Sequence, residues 1–182
     1  MIRSLTFLTV MIALDLTLHT QTIGPMKDLN DPHLVITKGK RTLVVFDGDR
    51  RIKSYKTVLG FAPKGGKEIE GDGRTPEGEF YVFTKNPESR FHLSLGVSYP
   101  GQEDAERGLR EGLISQAEHD EIVAAIAEKR KPLQKTRLGG EIYIHGGGTA
   151  SDWTEGCVAL TNDEMTELFD AIPIGAKVTI LP

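Results

Sequence analysis

The stretch "RTLVVFDGDRRIKSYKTV", residues 41–58, alternates apolar and polar side chains on either side of Asp47 and Gly48. Alternation with period two marks a half-buried strand, because successive side chains leave a strand on opposite faces. An Asp-Gly pair between two such runs suits a tight turn, so the stretch reads as a β-hairpin whose acidic residues need no metal to explain them. The same alternation recurs in "HLVIT" (33–37), "EGEFYVFTK" (77–85), "EIYIH" (141–145) and "AKVTIL" (176–181), which makes the chain mainly β. "KGGKEIEGDGRTPEGEF" (64–80) is dense in turn formers and reads as a loop that enters a strand at Glu79.

Helical periodicity is expected in two places only. In "SQAEHDEIVAAIAEKR" (115–130), Ser115 and Glu118 form a capping box, and Ile122, Ala125 and Ile126 share a face. In "TNDEMTELFDAI" (161–172), Thr161 and Glu164 repeat the box, with Met165, Leu168, Phe169 and Ile172 as the apolar stripe. Residues near 107–131 therefore read as a helical insertion in a β fold. A chain of 182 residues with 38% hydrophobic content has the size of one globular domain with its own core. Its 22 basic and 26 acidic residues, net −4, give no broad cationic field, which argues against nucleic acid as a partner. The cations of "EKRKPLQKTR" (128–137) read as a solvated helix end.

The N-terminus, "MIRSLTFLTVMIALDLTLHTQ", places Arg3 before an apolar run from Leu5 to Leu14, the layout of a secretory signal peptide over residues 1–22. Asp15 ends the run and no clean A-x-A site follows, so the alternative is a buried N-terminal helix. No later apolar stretch approaches twenty residues, and no stable membrane insertion is expected after processing. The expected location is the periplasm or cell envelope.

Cys157 is the only cysteine, so no disulfide can form within the chain. By itself a lone cysteine reads as a small buried hydrophobe. Its setting, "IYIHGGGTASDWTEGCVAL" (142–160), suggests more: "EIYIH" delivers His145 to a strand end, and a small-residue loop turns back to Cys157. Contact between the two is expected. A nearby imidazole can take the thiol proton and stabilise the thiolate, while Gly156 lets backbone N–H groups approach an oxyanion. Twelve-residue spacing also admits zinc ligation or coincidence, although His33, His92 and His119 are scattered and no second cysteine exists.

"IHGGGTASDWTEGCVALTNDEM" (144–165) resembles the catalytic motif of the L,D-transpeptidase (YkuD type) domain family: a strand-borne His-Gly, a short loop and a Ser/Thr-x-Gly-Cys element. "GDGRTPEGEFYV" (71–82) looks like the family's turn and strand ahead of the site, and "NPESRFHLSLGVSYP" (86–100) is similar to a segment of one branch. The resemblance covers residues 33–182 and implies a β-sandwich or barrel-like catalytic domain with a helical insertion. It implies Cys157 as nucleophile on peptidoglycan stem peptides and His145 as base. The Gly146 carbonyl would orient the imidazole, and backbone donors at Gly156 and Cys157 would form the oxyanion hole. It implies no metal and no cofactor.

Two positions depart from that pattern. Many members carry His before the Gly-Cys pair and Arg two residues after the cysteine; here these are Glu155 and Ala159. Arg is suited to gripping a carboxylate, so another residue must do so, and Arg90 and Arg137 are candidates on charge. His92 either lines the cleft or is structural, Trp153 either stacks on substrate or anchors the loop, and Glu155 either attracts a cationic acceptor or fills a turn. "GCVAL" is familiar from a branch that includes hydrolases. The readings are an exported transpeptidase, an L,D-carboxypeptidase or endopeptidase that cuts wall peptides or lipoprotein linkages, and a non-catalytic wall-binding domain.

Overall fold

Alternating burial builds the first sheet strands: β1 (Pro32–Thr37) buries Leu34 and Ile36, and β2 (Thr42–Asp47) buries Leu43 and Val45. β3 (Arg50–Lys56) completes the hairpin, with Gly48 at φ 56° in the turn. Its buried residues, Ile52 and Tyr55, stand three apart because the register shifts beside Val45 and Phe46, where a bulge inserts one residue. This computed structural model describes Met26 and residues 28–182; residues 1–22, expected from the sequence to be a signal peptide, lie outside them.

The remaining strands are β4 (Gly78–Ser89), β5 (His92–Val97), β6 (Tyr143–His145), β7 (Val158–Ala159) and β8 (Lys177–Leu181). Together with β1, β2 and β3 they form, among the described residues, one eight-stranded sheet in the order β3-β2-β1-β8-β4-β5-β6-β7. β1 runs parallel to β8 and β6 parallel to β7; the other pairs are antiparallel. Beyond β3, Val58 exchanges both backbone hydrogen bonds with Ala159, at 3.1 and 2.9 Å, so the sheet curls back toward its own first edge as a half-barrel. Helix α3 (Asn162–Ala171), capped by Thr161 and Glu164, packs Met165 and Leu168 into the curl. "EIYIH" forms a shorter strand than expected. Glu141 sits at φ 54° and gives its N–H to Gln134 Oε1 at 2.8 Å, so the ladder begins only at Tyr143.

Among the described residues three helices form where two were expected. The additional one, α1 (Gln102–Arg110), buries only Ala105 and Gly108, so it has no stripe of large apolar residues to betray it. Its start is satisfied by Asp104, which accepts from the Gly101 N–H at 3.0 Å. With α2 (Gln116–Ala127), capped by Ser115 and Glu118, it encloses a small separate core of Ala105, Ile114, Ile122 and Leu138. Two tyrosines fasten this insertion to the sheet: Tyr81 Oη donates to Arg130 O at 2.6 Å, and Tyr99 Oη to Leu138 O at 2.9 Å. The cations after α2 are engaged locally, Arg130 with Glu121 and Glu128, and Lys131 over the Phe83 ring. Among the described residues no helix is long and apolar enough to cross a membrane.

Candidate active site

Ile144 and Val158 are fully buried in the core and pair with one another. Side chains alternate, so Tyr143 and His145 on β6 and Cys157 and Ala159 beside them face the other way, onto a common surface. The register sets Cys157 next to Tyr143 and one step off His145. Strand spacing and rise make that backbone diagonal about 8 Å, which two side chains on one face span between them.

The loop between these residues is tied down along its length. Gly147 N–H donates to Asn162 Oδ1 at 2.9 Å, and Asp152 bonds Arg41 at 2.7 Å and the Leu59 N–H at 2.9 Å. Thr154 exchanges backbone bonds with the 59–61 segment. Its hydroxyl donates to the Cys157 carbonyl at 2.7 Å and accepts from the Gly156 N–H at 3.2 Å, which folds the turn before the nucleophile candidate. Gly156 has φ 130°, and a Cβ there would stand 2.7 Å from the Arg74 carbonyl oxygen, so only glycine fits between the turn and the 60–75 loop.

The Cys157 sulfur accepts from the Tyr143 N–H at 3.4 Å and donates to the Glu141 carbonyl at 3.5 Å. No hydrogen bond joins it to His145 among the described residues. Burial pushes the thiol up to about 11, with the nearby Glu155 carboxylate adding to the rise, while the Tyr143 N–H and the charges of Lys67 and Arg90 act against it. The imidazole is shifted the other way, below its ordinary value, chiefly by burial and further by Arg90, with the Gly146 carbonyl opposing. Both groups are therefore neutral at rest. His145 Nδ1 lies 2.6 Å from the Gly146 carbonyl oxygen. A carbonyl only accepts, so Nδ1 carries the proton and Nε2 holds the lone pair. Phe91 stacks on the ring at 4.7 Å and Trp153 meets it edgewise at 5.5 Å.

His145, Cys157, Gly146, Gly156, Trp153 and Arg90 thus gather at one place. Arg90 lies with its guanidinium 4.7 Å from the Phe91 ring centre. Trp153 is 37% exposed and donates Nε1–H to the Gly148 carbonyl, so it both anchors the loop and walls the imidazole. Glu155 is exposed in the turn. The Gly156 N–H is taken by Thr154, whereas the Cys157 N–H has no acceptor among the described residues. His92 and Arg137 make no hydrogen bond to either residue of the pair among the described residues. The His92 ring bonds Thr166 on α3 at 2.8 Å, and Arg137 lines an open groove of about 440 Å³ with Glu70, Gln134 and Glu141. Phe91, Tyr143 and the Glu141 carbonyl carry no local sequence signal, since each matters through a partner brought by the fold. Among the described residues no three His, Cys, Asp or Glu side chains converge to hold a metal.

The curled sheet thus sets a strand-end histidine and a Gly-Cys turn on one face. The chain belongs to the L,D-transpeptidase catalytic domain (YkuD) family, whose profile matches residues 31–180. Its fold is similar to that of the helical cell shape determining protein Pgp2 from Campylobacter jejuni, at 23% identity and TM-score 0.57 over 83% of this chain and 48% of that one. It is similar also to Bd1075 from Bdellovibrio bacteriovorus, at 20% identity and TM-score 0.55 over 84% and 48%. The chain thus spans about half the length of these two proteins. No curated protein matches it.

Proposed function

We propose that this domain is an exported cysteine acyltransferase acting on peptidoglycan stem peptides. The observation that supports this most is the shared face of β6 and the Thr-Glu-Gly-Cys turn, which carries a neutral imidazole with Nε2 unprotonated beside the only thiol. In the reaction His145 Nε2 takes the Cys157 proton as sulfur attacks the carbonyl carbon between an L-centre and a D-residue. The Cys157 N–H is a donor available to the oxyanion. Collapse breaks the C–N bond, the departing amine takes the proton from the imidazolium, and a thioester remains. An amine of a second stem peptide then yields a cross-link or attachment, and water yields free acid, the outcome of an L,D-carboxypeptidase or endopeptidase.

The family points to wall peptides as substrates, and Arg3 with the Leu5–Leu14 run supports export to the periplasm or cell envelope. Pgp2 is named for helical cell shape; a shape role here would follow from joining or trimming the same polymer. The test is incubation with purified disaccharide-tetrapeptide followed by mass analysis of products. Loss of the terminal D-residue, with joining to a second peptide, is expected. An unchanged substrate alongside a thiol inert to alkylating reagents would leave a wall-binding domain.

A further inference from the structure

We propose that Phe91 is a positioning residue for the His145 imidazole, an inference that rests on reading His145 as the base. Arg90 and Phe91 form the two-residue turn that joins β4 to β5 between the paired Ser89 and His92. Side chains on such turns usually point to solvent. This ring is instead half-buried and stacked on the imidazole, with centres 4.7 Å apart and planes 21° from parallel. Trp153 touches both rings, at 5.3 Å from Phe91 and 5.5 Å from His145.

The turn is planted rather than free. Phe91 N–H donates to Ser89 Oγ at 3.2 Å, and its carbonyl oxygen lies only 2.8 Å from where a Cβ on Gly146 would stand. His92 adopts φ 76°, a left-handed conformation uncommon outside glycine, and its bond to Thr166 holds that conformation against α3. His92 therefore acts as a strut.

No hydrogen bond joins the imidazole to the sulfur at rest, so the aim of Nε2 must be set by the ring's other neighbours. The Gly146 carbonyl fixes which nitrogen turns inward, and the Phe91 stack fixes the plane. A base displaced by a fraction of an ångström from its thiol loses rate without losing substrate affinity.

The experiment compares Phe91→Leu, Phe91→Tyr and Thr166→Val in the full chain, by steady-state kinetics on disaccharide-tetrapeptide and by nitrogen NMR of the His145 tautomer. Phe91→Leu is expected to lower kcat by about 10-fold or more, to leave KM within about twofold, and to mix the two neutral tautomers. Phe91→Tyr keeps the ring and should stay within about threefold of the parent. Thr166→Val removes the strut from an exposed helix face and should lower kcat in the same sense by a smaller factor, which keeps the proposal testable if Phe91→Leu does not fold. An unchanged kcat and tautomer in the variants that fold, or an effect on KM alone, overturns it. Because the tautomer is read on the protein itself, activity surviving in His145→Ala would sink the base assignment without deciding the stack.

Discussion

Residues 146–156 contain no helix and no strand, yet their polar groups are bound to β1's turn, the 59–61 segment and α3. The insertion from α1 through Leu138 has two capped helices and a core of its own, and meets the sheet through few polar bonds, led by those of Tyr81 and Tyr99. One region is ordered by distant partners, the other by itself. Chemistry that needs side chains fixed against each other is better served by the first arrangement, because every bond to a different element removes one way for Cys157 to drift. The insertion reaches the site through Gln134, whose amide oxygen holds the Glu141 peptide that faces the thiol.

If the loop rather than the insertion sets the reactivity of Cys157, the thiol must behave as a half-buried neutral group. With its pKa pushed to about 11, the thiolate fraction rises roughly tenfold per pH unit throughout the range below that value. Alkylation by iodoacetamide at pH 7.5 should then be on the order of 10–100-fold slower than for free cysteine, and should still be climbing past pH 9. A rate already level by pH 8 would mean a preformed thiolate and would break the contrast. In catalysis the lowered imidazole keeps the base neutral to more acidic pH, so the acid limb of kcat/KM should fall below the ordinary histidine value of about 6.5.

Thr154 sharpens the comparison next. Thr154→Val removes the hydroxyl that bonds the Cys157 carbonyl and the Gly156 N–H, and should cost about 1–2 kcal/mol in denaturant midpoints. Its kcat should drop by roughly 10-fold, since the Cys157 backbone loses its brace. The smallest effect belongs to the insertion. Tyr81→Phe removes bonds to Ala125 and Arg130 and should lower stability by about 1 kcal/mol, with alkylation of Cys157 unchanged within about twofold. A large change in thiol reactivity there would show that the insertion governs the site after all.

The strands were legible because period two survives in a sheet with one buried face, as at Leu34 and Ile36 or Leu43 and Val45. Both capping boxes were legible because a cap is a local pattern, Ser115 with Glu118 and Thr161 with Glu164. α1 was not, since a helix that buries Ala105 and Gly108 presents no apolar stripe. At the site, His145 and Cys157 lie twelve residues apart in one readable string. The Phe91 stack arrives from a different hairpin, and the occupied Gly156 N–H depends on which way the Thr154 hydroxyl turns. His92 drew notice as a histidine, but the partner that engages its ring is Thr166, more than seventy residues on.

The assignment of Cys157 as nucleophile and His145 as its base is tested most directly by trapping the covalent intermediate. Intact-mass analysis after brief mixing with disaccharide-tetrapeptide, followed by peptide mapping, should find the acyl group on Cys157. The adduct should be absent in Cys157→Ala and form on the order of 100-fold more slowly or worse in His145→Ala. Product formation by Cys157→Ala, or an acyl group mapped to any other residue, would contradict it.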